Sequence, residues 1–484
     1  MTTTADTTAT PRTPQRYTES ALVSKERYIS KEWLAAEYER LWPKVWQMAC
    51  RLEEIPRPGD YCEYQIGTQS ILVVREDEDT VRAFRNTCPH RATRIRSGMG
   101  NTDDELRCPF HGWAWKLDGS VLEIPDADDF APECLSRKDL QLSTVHVGLW
   151  GGFVFITMAE NPQPLLEFLG PIVEGLAPFE VDKMRLLRYR TTVMDCNWKV
   201  GLGAFNEVYH LEATHVWDLS GYAGGNRAST TALRTGATKR KAEESSQRTE
   251  RVDVRDALGR TPGAYQFMNE TFETHNMLRS LPEMLTESAP LGDLGDARKA
   301  AMEMLRLNQM ISLAHQDDID YVEVLPEVPG DVPSLRFFTD VRRKVSAAKG
   351  IDYSHIPDED MLSSIDYCIY PNMVGPISAG NWILFRFRPN GDDPDTCLYD
   401  VMFLHRFGEN EEVPEVEHEF YAKWEDHDGW GPTIGQDLSN MGHVQAGLHQ
   451  TSFTGLRLNR QEAGVRNFEK FVDRHVLADD RPTA

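Results

Sequence analysis

The sequence predicts an α+β protein: a small antiparallel β module, then a larger domain in which helices pack on a central antiparallel sheet. Three patterns carry this. From Arg57-Pro58-Gly59-Asp60 the apolar period drops to two, in short runs broken by Gly, Asp and Glu, as in strands joined by tight turns. Ahead of that module Leu34, Tyr38, Leu41 and Trp42 recur at helical spacing. Beyond residue 319 strand-like runs follow one another without helices between them, which implies antiparallel pairing.

A chain of 484 residues, 40% hydrophobic and 10% aromatic, has enough apolar surface for two or three cored domains. No run approaches the length of a membrane-spanning helix. The Thr-rich start lacks the apolar stretch of a secretory signal and reads as a disordered tail over residues 1–17. The net charge of −24 argues against a general nucleic-acid binder, which needs a basic face. Eight scattered cysteines do not form a disulfide framework in a chain of this size; together these features predict a reducing cytoplasm. Only Cys88 and Cys108 stand in a ligand pattern, and Cys50, Cys62, Cys134, Cys196, Cys368 and Cys397 read as buried apolar thiols.

In order, residues 18–50 read as helical, with Ser30 as an N-cap. Predicted strands follow at Tyr61–Ile66, Ser70–Arg75 and Thr80–Arg85, and the module closes with a glycine-broken strand pair over 145–157. The larger domain opens with a helix over 164–178, a strand over 184–194 and a helix over 197–213. Residues 220–290 read as a long excursion, conceivable as a lid, and 297–314 as a helix. Strands are predicted at 320–325, 334–341, 365–370, 381–388 and 396–405, with helices over 434–448 and 462–476.

The module holds a Cys-x-His pair, Cys88 and His90, then seventeen residues, then a Cys-x-x-His pair, Cys108 and His111. Two thiolates and two imidazoles on two short turns suit one small centre of soft metal. A structural zinc is the rival, but zinc fingers usually place two cysteines together and two histidines together. Here each half supplies one of each, which lets two cysteines take one iron and two histidines the other. Pro89 and Pro109 follow the cysteines, and Gly112-Trp113-Ala114-Trp115 follows the second pair.

An electron-carrying cluster needs a second site for chemistry on an organic molecule. Asn206-Glu207-Val208-Tyr209-His210 continues to His215, and two histidines with a carboxylate on one face of Fe(II) form the facial triad of non-haem oxygenases. A five-residue spacing is about 140° of rotation on a regular helix, so His210 and His215 need a helix end or π-type turn between them. The distant carboxylate is read as Asp437, placed at the first turn of a helix whose Met441, Val444 and Leu448 face the core. Asp426 and Asp428 are rivals, and an N-cap is the alternative role for Asp437.

With these residues in place, the chain resembles the catalytic α-subunits of the Rieske non-haem iron (aromatic-ring-hydroxylating) oxygenases over roughly residues 30–475. The resemblance implies a helical segment at 18–44 packed on the catalytic domain, a Rieske [2Fe–2S] domain at 45–160, and a helix-grip, START-like domain at 161–484. It implies Cys88, His90, Cys108 and His111 as cluster ligands, one cluster per subunit. It implies His210, His215 and Asp437 as ligands of one Fe(II). Glu207 becomes the bridge that carries electrons from a neighbouring subunit's cluster histidine. It also implies a reductase, with or without a ferredoxin, as electron donor, O2 and a small organic molecule as substrates, and a homotrimer with a possible β-subunit. The implied activity is hydroxylation of a hydrophobic aromatic or polycyclic compound. The alternative is a monooxygenase or demethylase of an amine or ether, because Glu207 stands where ring dioxygenases more often have Asp. Ala92 replaces a common Gly, which predicts a backbone there without positive φ. Arg91, Arg94 and Arg96 read either as a docking surface for an acidic donor or as partners of Asp103, Asp104 and Glu105.

Overall fold

The computed structural model describes residues 22–135, 140–207, 209–210, 214, 268–271, 275–280, 290–310, 315–361, 364–427, 429–459 and 461–477. Among them no helix is long and apolar enough to cross a membrane.

The chain enters through two short helices, Glu26–Ile29 and Lys31–Arg40. Ser30 caps the second, its side chain accepting from the Trp33 N–H at 3.1 Å. The helical reading of 18–50 stops short, because Gln47–Arg51 is a fully buried strand. That strand begins a seven-stranded antiparallel sheet in the order Gln47–Arg51, Phe153–Thr157, Thr144–Trp150, Val81–Arg85, Gln69–Arg75, Asp60–Ile66, Met99–Asn101. A three-stranded sheet of Glu105–Arg107, Ala114–Lys116 and Val121–Glu123 stands beside it. Leu72, Val74, Phe84, Leu106 and Trp115 fill a separate small core under the two Cys/His loops.

The second region is built on an eight-stranded sheet. Its order is Met268–Thr271, His275–Ser280, Ser364–Ile369, Met373–Ser378, Asn381–Asn390, Asp393–His405, Arg185–Met194, His418–Tyr421. Seven strands pair antiparallel, and the last joins its neighbour in parallel. Two of these strands fall in the stretch read as an excursion, and the possible lid over the rest of 220–290 lies outside the described residues.

Two predicted strands are helices. Residues 320–324 belong to Gln316–Val324, with Leu325 as its C-cap, and 334–341 open Ser334–Ala348. Aromatic and β-branched content suggested strands, but the buried positions Phe337, Phe338, Val341 and Arg342 follow the 3.6-residue period, and packing decides. The helix over 164–178 is two short helices, Leu165–Leu169 and Ile172–Leu176, parted at Gly170 (φ 54°) and Pro171. Pro432–Leu448 and Ala463–Val476 are helices that pack on the large sheet with Trp198–Ala204.

Candidate functional site

The two Cys/His loops are built alike. In the first, the Cys88 N–H donates to Thr93 O at 2.8 Å and Ala92 N–H returns to Cys88 O at 2.9 Å. In the second, Cys108 N–H donates to Trp113 O at 2.8 Å and Gly112 N–H to Cys108 O at 3.1 Å. Each closure turns the chain left-handed at the fourth residue after the cysteine: Ala92 at φ 61° and Gly112 at φ 76°. The expectation that Ala92 avoids positive φ is therefore wrong. Loop closure imposes the conformation, and the alanine Cβ bears the strain.

Asn86 fixes the first loop by accepting from Ile95 N–H at 2.9 Å and Arg96 N–H at 3.1 Å. Arg96 joins the loops, donating to Arg107 O at 2.6 Å. It is thus a structural strut rather than part of a docking surface. Arg94 pairs with Glu63 at 3.1 Å and Glu105 is taken by Arg107, so the pairing expected with Asp103, Asp104 and Glu105 does not form. Arg91 is exposed and stacks 5.0 Å over Phe110.

Cys88 and Cys108 are buried, and the His90 and His111 rings lie 4.6 Å apart. Burial raises the Cys88 thiol, against backbone N–H donors from His90 and Arg91. Burial, with His111 and Arg91 nearby, lowers the pKa of the His90 imidazole, the direction that favours the neutral, metal-binding form. His90 stacks on Trp113 (4.9 Å, 5°), and its buried Nδ1 has no hydrogen-bond partner. Among the described residues no three His, Cys, Asp or Glu side chains gather tightly enough for a single ion. Two separate pairs, one of thiols and one of imidazoles, suit a two-iron cluster better than one zinc. The histidine edge faces outward: His111, Phe110, Pro89 and Pro109 are exposed. Of the other cysteines five are buried, but Cys134, in the Pro132–Cys134 turn, is exposed and not an apolar core thiol.

The second constellation follows the Trp198–Ala204 helix. Asn197 caps it, its side chain accepting from Lys199 N–H at 3.1 Å, and it stops at Phe205 rather than running to 213. Glu207 then caps the next turn, accepting from the N–H groups of Tyr209 and of His210 (3.2 Å). Its other oxygen lies 2.7 Å from His210 Nδ1, and His210 Nε2 lies 3.6 Å from Asp437 Oδ1. Donating Nδ1–H to a carboxylate fixes the tautomer in which Nε2, on the side of Asp437, carries the metal-binding lone pair. The 3.6 Å gap lets both donors reach one ion at about 2.1 Å each. Burial works against protonation of His210, but Glu207, Asp437 and Asp366 outweigh it and raise its pKa.

Asp437 is buried in the second turn of a helix that starts at Pro432, so it is neither an N-cap nor at the first turn. Met441 and Leu448 are buried with it, whereas Val444 is half exposed, contrary to its expected core position. Asp426 is exposed in a short turn; Asp428 and His215 lie outside the described residues.

Two neighbours were not singled out from sequence. Asp366, on the Ser364–Ile369 strand, adds negative field at His210. Tyr399 is fully buried, its hydroxyl unpartnered and its phenol pKa raised first by burial and then by Asp437. Both sit in alternating strand patterns that look like ordinary sheet residues. Phe205 stacks over this floor, 4.3 Å from Phe385 and 6.0 Å from Tyr399.

Comparison with known proteins matches residues 45–139 to the Rieske [2Fe-2S] domain and 338–478 to the ring hydroxylating alpha subunit catalytic domain. The chain is 33% identical over 185 residues to a glycine betaine monooxygenase oxygenase subunit of Chromohalobacter salexigens, covering 37% of this chain and 40% of that protein. It is 32% identical over 191 residues to the carnitine monooxygenase oxygenase subunit of Escherichia coli K12, covering 39% and 50%. The matched stretch thus spans half or less of these relatives. A solved quaternary ammonium Rieske monooxygenase superposes with TM-score 0.60 at 17% identity, covering 94% of this chain and 95% of that one. A naphthalene 1,2-dioxygenase superposes with TM-score 0.61 at 18% identity, covering 94% and 93%. At such identities the likeness establishes the fold.

Proposed function

We propose that this chain, an alpha subunit of the Rieske non-haem iron oxygenases by its two domains and their order, is a terminal oxygenase that monooxygenates a quaternary-ammonium substrate. The observation that carries the oxygenase reading is His210 held between Glu207 (2.7 Å) and Asp437 (3.6 Å), apart from the Cys88/His90/Cys108/His111 loops. Iron held by His210, His215 and Asp437 supplies O2 binding and activation, while the [2Fe–2S] centre supplies electrons one at a time.

The protein's own residues do the rest. Glu207 fixes the His210 ring and its tautomer. Asp437, buried, presents a carboxylate in a largely desolvated setting. The stacked Phe205, Phe385 and Tyr399 rings offer an apolar, π-rich wall, which suits a bulky cation as well as an arene. His111 is exposed, so a neighbouring subunit can bring its Glu207 against it; a head-to-tail homotrimer meets that need. Electrons reach the cluster from NAD(P)H through a reductase, alone or with a ferredoxin.

The choice of an amine over an aromatic hydrocarbon rests on Glu207, one methylene longer than the commoner Asp, and on the names of the relatives at 30% identity and above. Incubation with NADH, a surrogate reductase and a panel of quaternary amines, arenes and steroids tests it. Oxidation of an amine at the expense of one O2 is expected. Conversion of arenes to diols, with the amines untouched, overturns the substrate class.

A further inference from the structure

The Glu26–Ile29 and Lys31–Arg40 helices lie outside both matched domain families. They nevertheless reach into the base of the His210–Asp437 region. Glu37 and Lys199, both with fully buried side chains, form an ion pair at 2.5 Å. The second Glu37 oxygen accepts from the Trp198 indole N–H at 2.8 Å. Lys199 Nζ also lies 5.5 Å over the Tyr28 ring, and Trp42 packs on Trp198 at 4.9 Å. Glu37 therefore grips two successive residues of the Trp198–Ala204 helix that leads directly to Glu207 and His210.

The same helix pair also holds the segment that bears Asp437. Gln445, two turns beyond Asp437 on the Pro432–Leu448 helix, accepts from Asn197 N–H at 3.0 Å and donates to Tyr28 O at 3.2 Å. The third layer is the C-terminal helix. Tyr28 O–H donates to Glu469 at 2.5 Å, and Arg27 bridges Glu469 (3.1 Å) and Asp473 (2.9 Å). Thus a single buried polar node ties the helix before His210, the helix bearing Asp437 and the Ala463–Val476 helix to the N-terminal pair.

A buried ion pair is a weak means of stabilising a fold, because desolvation offsets attraction and an apolar pair of similar volume fills the space as well. What charge-assisted hydrogen bonds add is direction. We infer that the N-terminal helix pair is a positioning element for the mononuclear metal site. Through Glu37–Lys199 and Tyr28–Gln445 it sets the separation of the helices that present His210 and Asp437. This rests on the reading of those two residues as metal ligands.

The test uses the full chain with its cluster loaded and its mononuclear iron removed, titrated with Co(II) alone. The variants are E37L/K199M, which exchanges the pair for apolar side chains, K199R, which keeps the charge, and Q445M, which cuts the second tie together with the amide's hydrogen bond to Asp395, a carboxylate that keeps His449 as a partner. E37L/K199M and Q445M are expected to weaken Co(II) binding about tenfold to a hundredfold, as loss of outer support for metal ligands does, with the cluster's visible spectrum unchanged. K199R, which keeps a cation beside Glu37, is expected to lose less than E37L/K199M. Co(II) affinity within twofold of the parent in Q445M or the double variant overturns the inference. H210A is the control for the reading beneath it: Co(II) binding that survives H210A overturns the ligand assignment itself, which is a different failure.

Discussion

The two candidate metal sites of this chain are made in opposite ways. The cluster loops draw their four proposed ligands from residues 88–111, each loop closed by its own backbone hydrogen bonds and tied to the other by Arg96. The proposed iron site gathers its residues from the turn after the Trp198–Ala204 helix and the second turn of the Pro432–Leu448 helix, brought together by the packed sheet beneath them and by the polar ties to the N-terminal helices. A local site tolerates change in the surrounding fold; a site assembled over long range depends on every layer that sets its spacing.

The largest effect that sharpens this contrast is H210A. It is expected to abolish turnover while leaving the cluster's visible absorption intact, checked by product formation and optical spectra side by side. Next is E207Q, which keeps the side chain's size but loses the charge facing His210 Nδ1 at 2.7 Å. Turnover is expected to fall about tenfold to a hundredfold with both metals retained. Normal turnover in E207Q would show that Glu207 neither orients the ring nor bridges subunits.

At the seam between the two regions sits Glu54, whose carboxyl is raised from its ordinary 4.5 to about 7 by burial, against the Arg51 N–H (2.7 Å) and Arg386. A carboxyl raised in the folded state contributes stability that is full below its unfolded pKa and is lost as pH rises through the folded one. Stability from this group therefore declines between about pH 4.5 and 7, and E54Q is expected to flatten that part of a denaturation-versus-pH curve.

The smallest effects probe the likeness of the two loops. A92G relieves a left-handed alanine, a gain of about 0.5–1 kcal/mol once glycine's unfolded entropy is set against a strain of about 1–2 kcal/mol. G112A is expected to cost a similar amount from backbone strain alone, since an added Cβ meets nothing nearer than Pro125 at 3.7 Å. Urea denaturation of the pair checks the opposite signs.

The same contrast explains what was legible in the sequence. The two like loops that carry Cys88, His90, Cys108 and His111 are legible because the spacing of those residues is local geometry. The period-two runs of the small module were readable for the same reason, since each strand turns directly into the next. The inward burial of Asp437 has no local signature among the late aspartates, and its place in the helix differs from the expected first turn because Pro432 starts that helix two residues earlier. Asp366 and Tyr399 carry no sequence signal, being single residues in strands with no ligand-like spacing to His210 or Asp437. Ala92 misled because residue type was used to infer backbone conformation, whereas two hydrogen bonds impose it. The Ser334–Ala348 helix was misread because short aromatic runs suit both periods until packing chooses one.

Two separate metal sites in one chain are tested most directly by iron analysis of the parent beside H210A. About three irons per chain in the parent and about two in H210A, with the same cluster spectrum, is the predicted result. Two irons in both proteins would contradict it, leaving an electron carrier without an oxygen-activating centre.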